Sequence, residues 1–234
     1  MRGLFFDISG KFAHFRRFYT NSSSLTYFLP PPTVVAGIVA ASMGLNSEEY
    51  PDLFENISYT IRPLNNHRTI MATVNLLYVS TVGELTGYKG AAQIPTQILV
   101  PEDFSTRISY EIGIVSDDND LLEKMYKSII SPVFPPYLGV AYCLAKFSNP
   151  RIVSGSVMND VEDDITGAIR ASLVDKIEDV KEGQKIVKDR YPLRLDKERK
   201  LLVADDILFD NERKTIKGKF KKVFATGGIV YGLV

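Results

Sequence analysis

A triple proline, Pro30 to Pro32, leads into Thr33–Met43, a stretch without a charge that closes on Gly44. Proline suits the first turn of a helix, where its missing N–H leaves no bond unmade, and glycine suits the position just past the last turn. The spacing predicts a helix over Thr33–Met43. It is apolar on most faces, so it needs cover on most sides. The flanking segments supply that cover. Gly3–Ser9 is apolar at nearly every position and predicts a buried strand. Ile57–Leu64 alternates, and Ser105–Val115 sets Ile108, Tyr110, Ile112 and Ile114 on one face. Asp118 or Asn119 caps a second helix carrying Leu121, Leu122, Met125, Ile129 and Ile130. Val140–Phe147 predicts a fourth strand.

Strand, helix, strand, strand, helix, strand is the ferredoxin-like (RRM-like) order of an α+β fold, a sheet with two helices on one face. Residues 65–102 interrupt it. They hold alternating segments, 73–79 and 97–100, around a tip at 83–90, and predict a long protruding β-hairpin. The N-terminal domain is therefore expected over 1–147, with the hairpin at about 65–102. A smaller, mostly-β C-terminal domain is expected over 148–234, with short strands at 200–203, 207–209 and 221–225.

With 234 residues and 45% hydrophobic content, the chain has enough apolar surface to fold without staples. Its single cysteine, Cys143, allows no internal disulfide and fits a reducing, cytoplasmic setting. No signal peptide or membrane-spanning stretch is expected. Net charge is zero, which argues against nonspecific coating of nucleic acid. The charges are segregated, however. Lys11, Arg16 and Arg17 crowd one loop, and residues 213–234 hold six bases and no acid.

Most motifs point away from small-molecule chemistry. The glycines of 227–232 precede no helix, so they predict a closing turn and strand, not a phosphate loop. Asp160, Glu162, Asp163 and Asp164 miss calcium-loop spacing, since Ile165 stands where glycine is required, and a solvated loop is expected. No metal, cofactor or catalytic residue is expected. The strongest signal is Lys11–Tyr19, where cations alternate with rings. That combination suits single-stranded RNA, whose phosphates take the cations while splayed bases stack. Packing of those rings into the core is the competing reading. No RNP1 octamer is present. His14 or His67, with Arg68 and Lys89 in reach, also fits metal-independent RNA cleavage on paper.

Three stretches resemble the Cas-five family of CRISPR-associated proteins, within the RAMP superfamily. They are FFDISGKFAHFRRFYT running on to Tyr27–Val39, then Pro95–Phe104, and Pro136–Gly139. The resemblance implies a subunit of a type I interference (Cascade) complex, an antiviral defence assembly. Its role there is to cap the 5′ handle of the CRISPR RNA and touch the backbone and large subunits. In those terms Lys11, Arg16 and Arg17 would neutralise phosphates, and His14 and Tyr27 would contact bases. Arg62, His67 and Arg68 would meet the RNA where the thumb hairpin leaves the sheet, and Lys89 would act at its tip. The cutting members carry a tyrosine on the first helix and a Lys-His pair near the second. Here Met43 falls near the first position and residues 119–131 hold no such pair, which implies processing by a separate ribonuclease. The rival readings are a metal-independent endoribonuclease and a protein–protein scaffold.

Overall fold

The computed structural model describes residues 1–20, 23–46, 48–77, 79–86, 91–178 and 180–234. The chain opens with β1 (Arg2–Gly10), β2 (Phe15–Arg16), β3 (Thr26–Tyr27), α1 (Pro32–Met43) and the short α2 (Tyr50–Leu53). It continues through β4 (Ser58–Pro63), β5 (His67–Leu77), β6 (Ala91–Pro101), β7 (Ile108–Ser116), α3 (Asn119–Ile130) and β8 (Ala145–Ser154). The rest is β9 (Ser156–Ile165), β10 (Ile169–Arg170), β11 (Val174–Ile177), β12 (Ile186–Leu195), β13 (Leu201–Asp210), β14 (Ile216–Thr226) and β15 (Ile229–Gly232).

The central sheet runs β4-β7-β1-β8, antiparallel throughout, which is the ferredoxin-like order. Leu4, Phe6 and Ile8 of β1 and Tyr110, Ile112 and Ile114 of β7 pack against Val35, Val39, Leu122 and Met125 of the two helices. Both helices end as the sequence dictates. Pro32 opens α1 and Gly44 closes it in the left-handed conformation. The Asp118 carboxylate accepts from Leu121 N at 2.9 Å at the start of α3, satisfying an otherwise orphaned donor.

The hairpin expected at 65–102 is β5 against β6, paired from His67↔Pro101 to Leu77↔Ala91. Its outer half exposes Met71, Leu76, Leu77, Val82 and Leu85. The fourth strand differs from expectation. It spans Ala145–Ser154, so the boundary placed at residue 147 falls inside it. Of the expected Val140–Phe147, residues 145–147 are strand, whereas Val140–Cys143 is a turn closed by Cys143 N donating to Val140 O.

The C-terminal region is two small sheets, β10-β13-β12 and one built on β14 with β9, β11 and β15. Their packing explains the open face of the central sheet. Phe224, Tyr231 and Leu233 cover Phe5 and Val115 there. Tyr191 and Phe209 instead join the helix-side core. The acidic run at 160–164 lies on a strand, not in the expected loop. Asp164, Asp163 and Glu162 stand opposite Lys217, Gly218 and Lys219. Gly227 and Gly228, both at positive φ, make the expected turn into β15. Among the described residues no helix is long and apolar enough to cross a membrane, and no cluster of three or more ligating side chains is placed to hold a metal ion.

Candidate RNA interface

The loop from Lys11 to Tyr27 is held by partners far away in sequence. Ala13 and Leu99 exchange both backbone hydrogen bonds, and Gln97 N donates to Ser24 O at 2.8 Å. The Gln97 side chain accepts from Thr26 N. His14 N donates to Leu138 O at 3.0 Å. Gly139 follows at φ +88, and a β-carbon there would stand 2.0 Å from the His14 carbonyl oxygen. Only glycine fits that approach. The three stretches that carry the family resemblance therefore meet at one place.

Burial divides the loop, with Ala13–Phe15 turned into the core and the residues on either side turned outward. Ala13 and Phe15 are fully buried, whereas Lys11, Phe12, Arg16, Phe18 and Tyr19 are exposed. Phe15 thus follows the core-anchor reading, and the other three rings do not. His14 is buried. Its Nδ1 lies 2.7 Å from Gln97 O, which only accepts, so Nδ1 carries the proton and Nε2 accepts from the Ser24 hydroxyl at 2.9 Å. Burial holds its pKa below the usual histidine value.

Tyr27 is fully buried as well, with its ring stacked on Tyr191 at 4.3 Å. Its hydroxyl donates to Arg190 O at 2.8 Å. Arg17 lies over the Tyr27 ring and pairs with Asp189, Nη2 to Oδ2 at 2.8 Å, while its Nε donates to Thr26 O. His67 is buried, stacked on Phe28 at 3.9 Å, with Nε2 against Phe28 O and the Tyr110 hydroxyl and Nδ1 against Asn65 O. Burial again lowers its pKa. Four expected contacts thus need correction. His14, Tyr27 and His67 are shut away from any base or phosphate, and the Arg17 charge is already answered by a carboxylate. Their polar atoms serve the loop and the thumb root.

Arg62 is also engaged. Its Nε sits 2.8 Å from Glu111 Oε1, in an ion pair without hydrogen-bond alignment, and Arg151 takes the other oxygen at 2.6 Å. Arg68 is exposed, over the Phe104 ring at 5.7 Å. Lys89 lies outside the described residues. Lys11 and Arg16 are exposed and carry no ion pair among the described residues.

Sequence reading missed two neighbours of Lys11. Gly10 pairs with Ile108 on one side and Ala145 on the other, which brings Arg107 and Lys146 to the same end of the sheet. Both are exposed. Each is a lone cation at a strand end, and only the strand register shows that they cluster. The sheet end thus gathers Lys11, Arg107 and Lys146, and the loop that leaves it exposes Arg16 and the rings of Phe12, Phe18 and Tyr19. Phosphates and unstacked bases suit such a surface. Cys143 contributes nothing nucleophilic, because burial pushes its thiol up to about 11.

Fold and site define a ferredoxin-like protein with a protruding thumb and a mixed cationic and aromatic loop at the thumb's root. Residues 3–199 match the family described as CRISPR-associated protein (Cas_Cas5), and the chain belongs to that family. A CRISPR protein from Archaeoglobus fulgidus shares the fold, with a TM-score of 0.59 and 15% identity over 99% of this chain and 98% of that one. A chain from a CRISPR RNA-guided surveillance complex aligns with a TM-score of 0.52 and 16% identity, over 92% and 91% of the two chains. A further Cas protein aligns with a TM-score of 0.51 and 16% identity, over 90% and 95%. A comparison with curated proteins finds no match.

Proposed function

We propose that this protein is a non-catalytic subunit of an RNA-guided interference complex of the Cascade type, where it grips the 5′ handle of the CRISPR RNA. The observation that carries the reading is the outward half of the Lys11–Tyr19 loop. Lys11 and Arg16 carry no ion pair among the described residues and share with three exposed rings a loop clamped from behind by His14, Arg17 and Tyr27. Cations held this way neutralise phosphates at little further ordering cost, because the backbone beneath them is already fixed. Arg107 and Lys146 extend the cationic surface past Lys11, and Arg68 continues it along the thumb.

Family membership supports the CRISPR setting, and a protein sharing the fold belongs to an RNA-guided surveillance complex. The apolar outer half of the thumb suits a protein neighbour such as the backbone subunit, and the large subunit is the second partner we assign. The non-catalytic part rests on the histidines, whose ring nitrogens are occupied by internal partners. A general base must reach the 2′-hydroxyl it deprotonates. The test is incubation of the pure full-length chain with repeat RNA in EDTA. We expect a bound, intact RNA. Discrete handle-length products, lost in a folded His67→Ala variant, would make the protein an endoribonuclease instead.

A further inference from the structure

A cavity of about 320 Å³ opens along α1 on the face marked by Thr33, Gly37 and Ala41, which lie one turn apart. Tyr50, Tyr137 and Arg199 contribute to its lining. The two tyrosines are half-buried and Arg199 is exposed. Gly37 is the informative residue. A β-carbon built on it meets no atom within 4 Å, and its φ is not in the left-handed region. Neither close packing nor backbone conformation therefore requires glycine. In a helix interior glycine costs about 1 kcal/mol relative to alanine. The fold gains nothing from Gly37, but the cavity does, because any side chain there would project into it.

The lining selects the occupant. Two phenol rings offer π-faces, Thr33 offers a hydroxyl, and Arg199 offers a guanidinium without an ion pair among the described residues. Flat, π-rich groups that carry a phosphate match this set. Position favours the same class. Tyr137 and Gly139 belong to the segment locked against His14, so one wall of the cavity is backed by the loop that also bears Lys11 and Arg16. We propose that this cavity receives one unstacked nucleobase of the strand whose phosphates Lys11 and Arg16 hold, with Arg199 meeting its phosphate. The proposal rests on the RNA-binding reading above. It adds a base-sized site formed by the helix and the β12–β13 turn.

The test uses the full-length chain and synthetic guide RNAs carrying 2-aminopurine at successive positions near the 5′ end. One position should change fluorescence on binding, and Gly37→Leu should abolish that change while weakening affinity by about 5- to 150-fold, the range spanned by loss of one stacked base. Gly37→Ala guards against misfolding. It should raise the melting temperature yet still weaken binding, an opposition that no purely structural role for Gly37 gives. Unchanged affinity and fluorescence in both variants overturns the proposal, as does the absence of any responding position. So does a Gly37→Leu protein that binds RNA normally but fails to join its neighbouring subunit, since the cavity would then hold a protein anchor. Lys11→Ala with Arg16→Ala separates the two levels. If that pair weakens binding while the Gly37 variants do not, the RNA-binding reading stands and the cavity assignment falls. If wild-type protein binds no guide RNA, both fall.

Discussion

Lys11–Tyr19 and Arg213–Lys222 are two runs of positive charge that no acid interrupts, and the fold treats them in opposite ways. In the second, Lys217 pairs with Glu178 at 2.8 Å, Lys221 with Asp175 at 3.6 Å, and Lys219 stands opposite Glu162. Arg213 donates to Leu64 O and Asn66 Oδ1, and Lys214 Nζ to Glu182 O. Strands β9 and β11 bring acids to these bases, and a basic run becomes an internally answered strand. In the first segment Arg17 is, among the described residues, the one cation paired with a carboxylate. Lys11 and Arg16 have no ion pair among the described residues, because the loop beneath them is fixed by backbone bonds, by His14 and Tyr27, and by the Arg17–Asp189 pair on its inner side. A charge run signals a partner only where the chain's own acids do not reach it.

Breaking the clamp behind the loop gives the largest effect. Gly139→Ala forces a side chain onto the His14 carbonyl at a left-handed φ, and we expect a loss above about 3 kcal/mol in urea unfolding, with RNA binding lost alongside. Arg17→Ala comes next. It removes a charged bond to partly buried Asp189 and should cost about 2 kcal/mol. Arg17→Lys should recover only part of that, because one ammonium cannot reach both Asp189 and Thr26 O. Acid gives a graded version of the same failure. His14 and His67 both have folded pKa values held below the usual 6.5 by burial. The unfolded chain therefore takes up protons first as pH falls. Stability is whole above about pH 6.5 and declines below it, by at most about 1.4 kcal/mol per pH unit for each histidine. Melting curves from pH 7.5 to 5 check this, and a folded His14→Gln variant should show the shallower decline.

Periodicity made β1, α1, β4, β7 and α3 legible, because each buries one face or both against a single core. The thumb was legible from its length and alternation. Of the β12–β13 hairpin only β13 was legible, as the short strands expected at 200–203 and 207–209 that the structure joins into Leu201–Asp210; β12 was not. Its alternation is broken by Pro192 and by charges such as Asp189 and Arg194, which are satisfied elsewhere in the fold. The site was half legible. Residue types along Lys11–Tyr19 marked the loop, but the orientation of each side chain depends on Ser24, Gln97, Leu138 and Asp189, all supplied after the loop itself. His14 and Arg17 read as ligands because their true partners lie far along the chain. Arg107 and Lys146 were hidden for the converse reason, since their proximity to Lys11 exists only in the sheet.

The most direct measurement is the salt dependence of guide-RNA binding, read by fluorescence anisotropy on single variants of the two basic segments. Each phosphate contact to a single strand contributes about −0.7 to the slope of log affinity against log salt. Lys11→Ala and Arg16→Ala should each flatten the slope by about 0.7 and weaken all RNA sequences alike, with melting temperature unchanged. Arg17→Ala should lower the melting temperature and leave the slope of the folded fraction alone. Lys217→Ala and Lys221→Ala should move neither quantity. The opposite result, a slope untouched by Lys11→Ala and Arg16→Ala but flattened by the Lys217 and Lys221 variants, would place the RNA on the C-terminal strand and contradict the account.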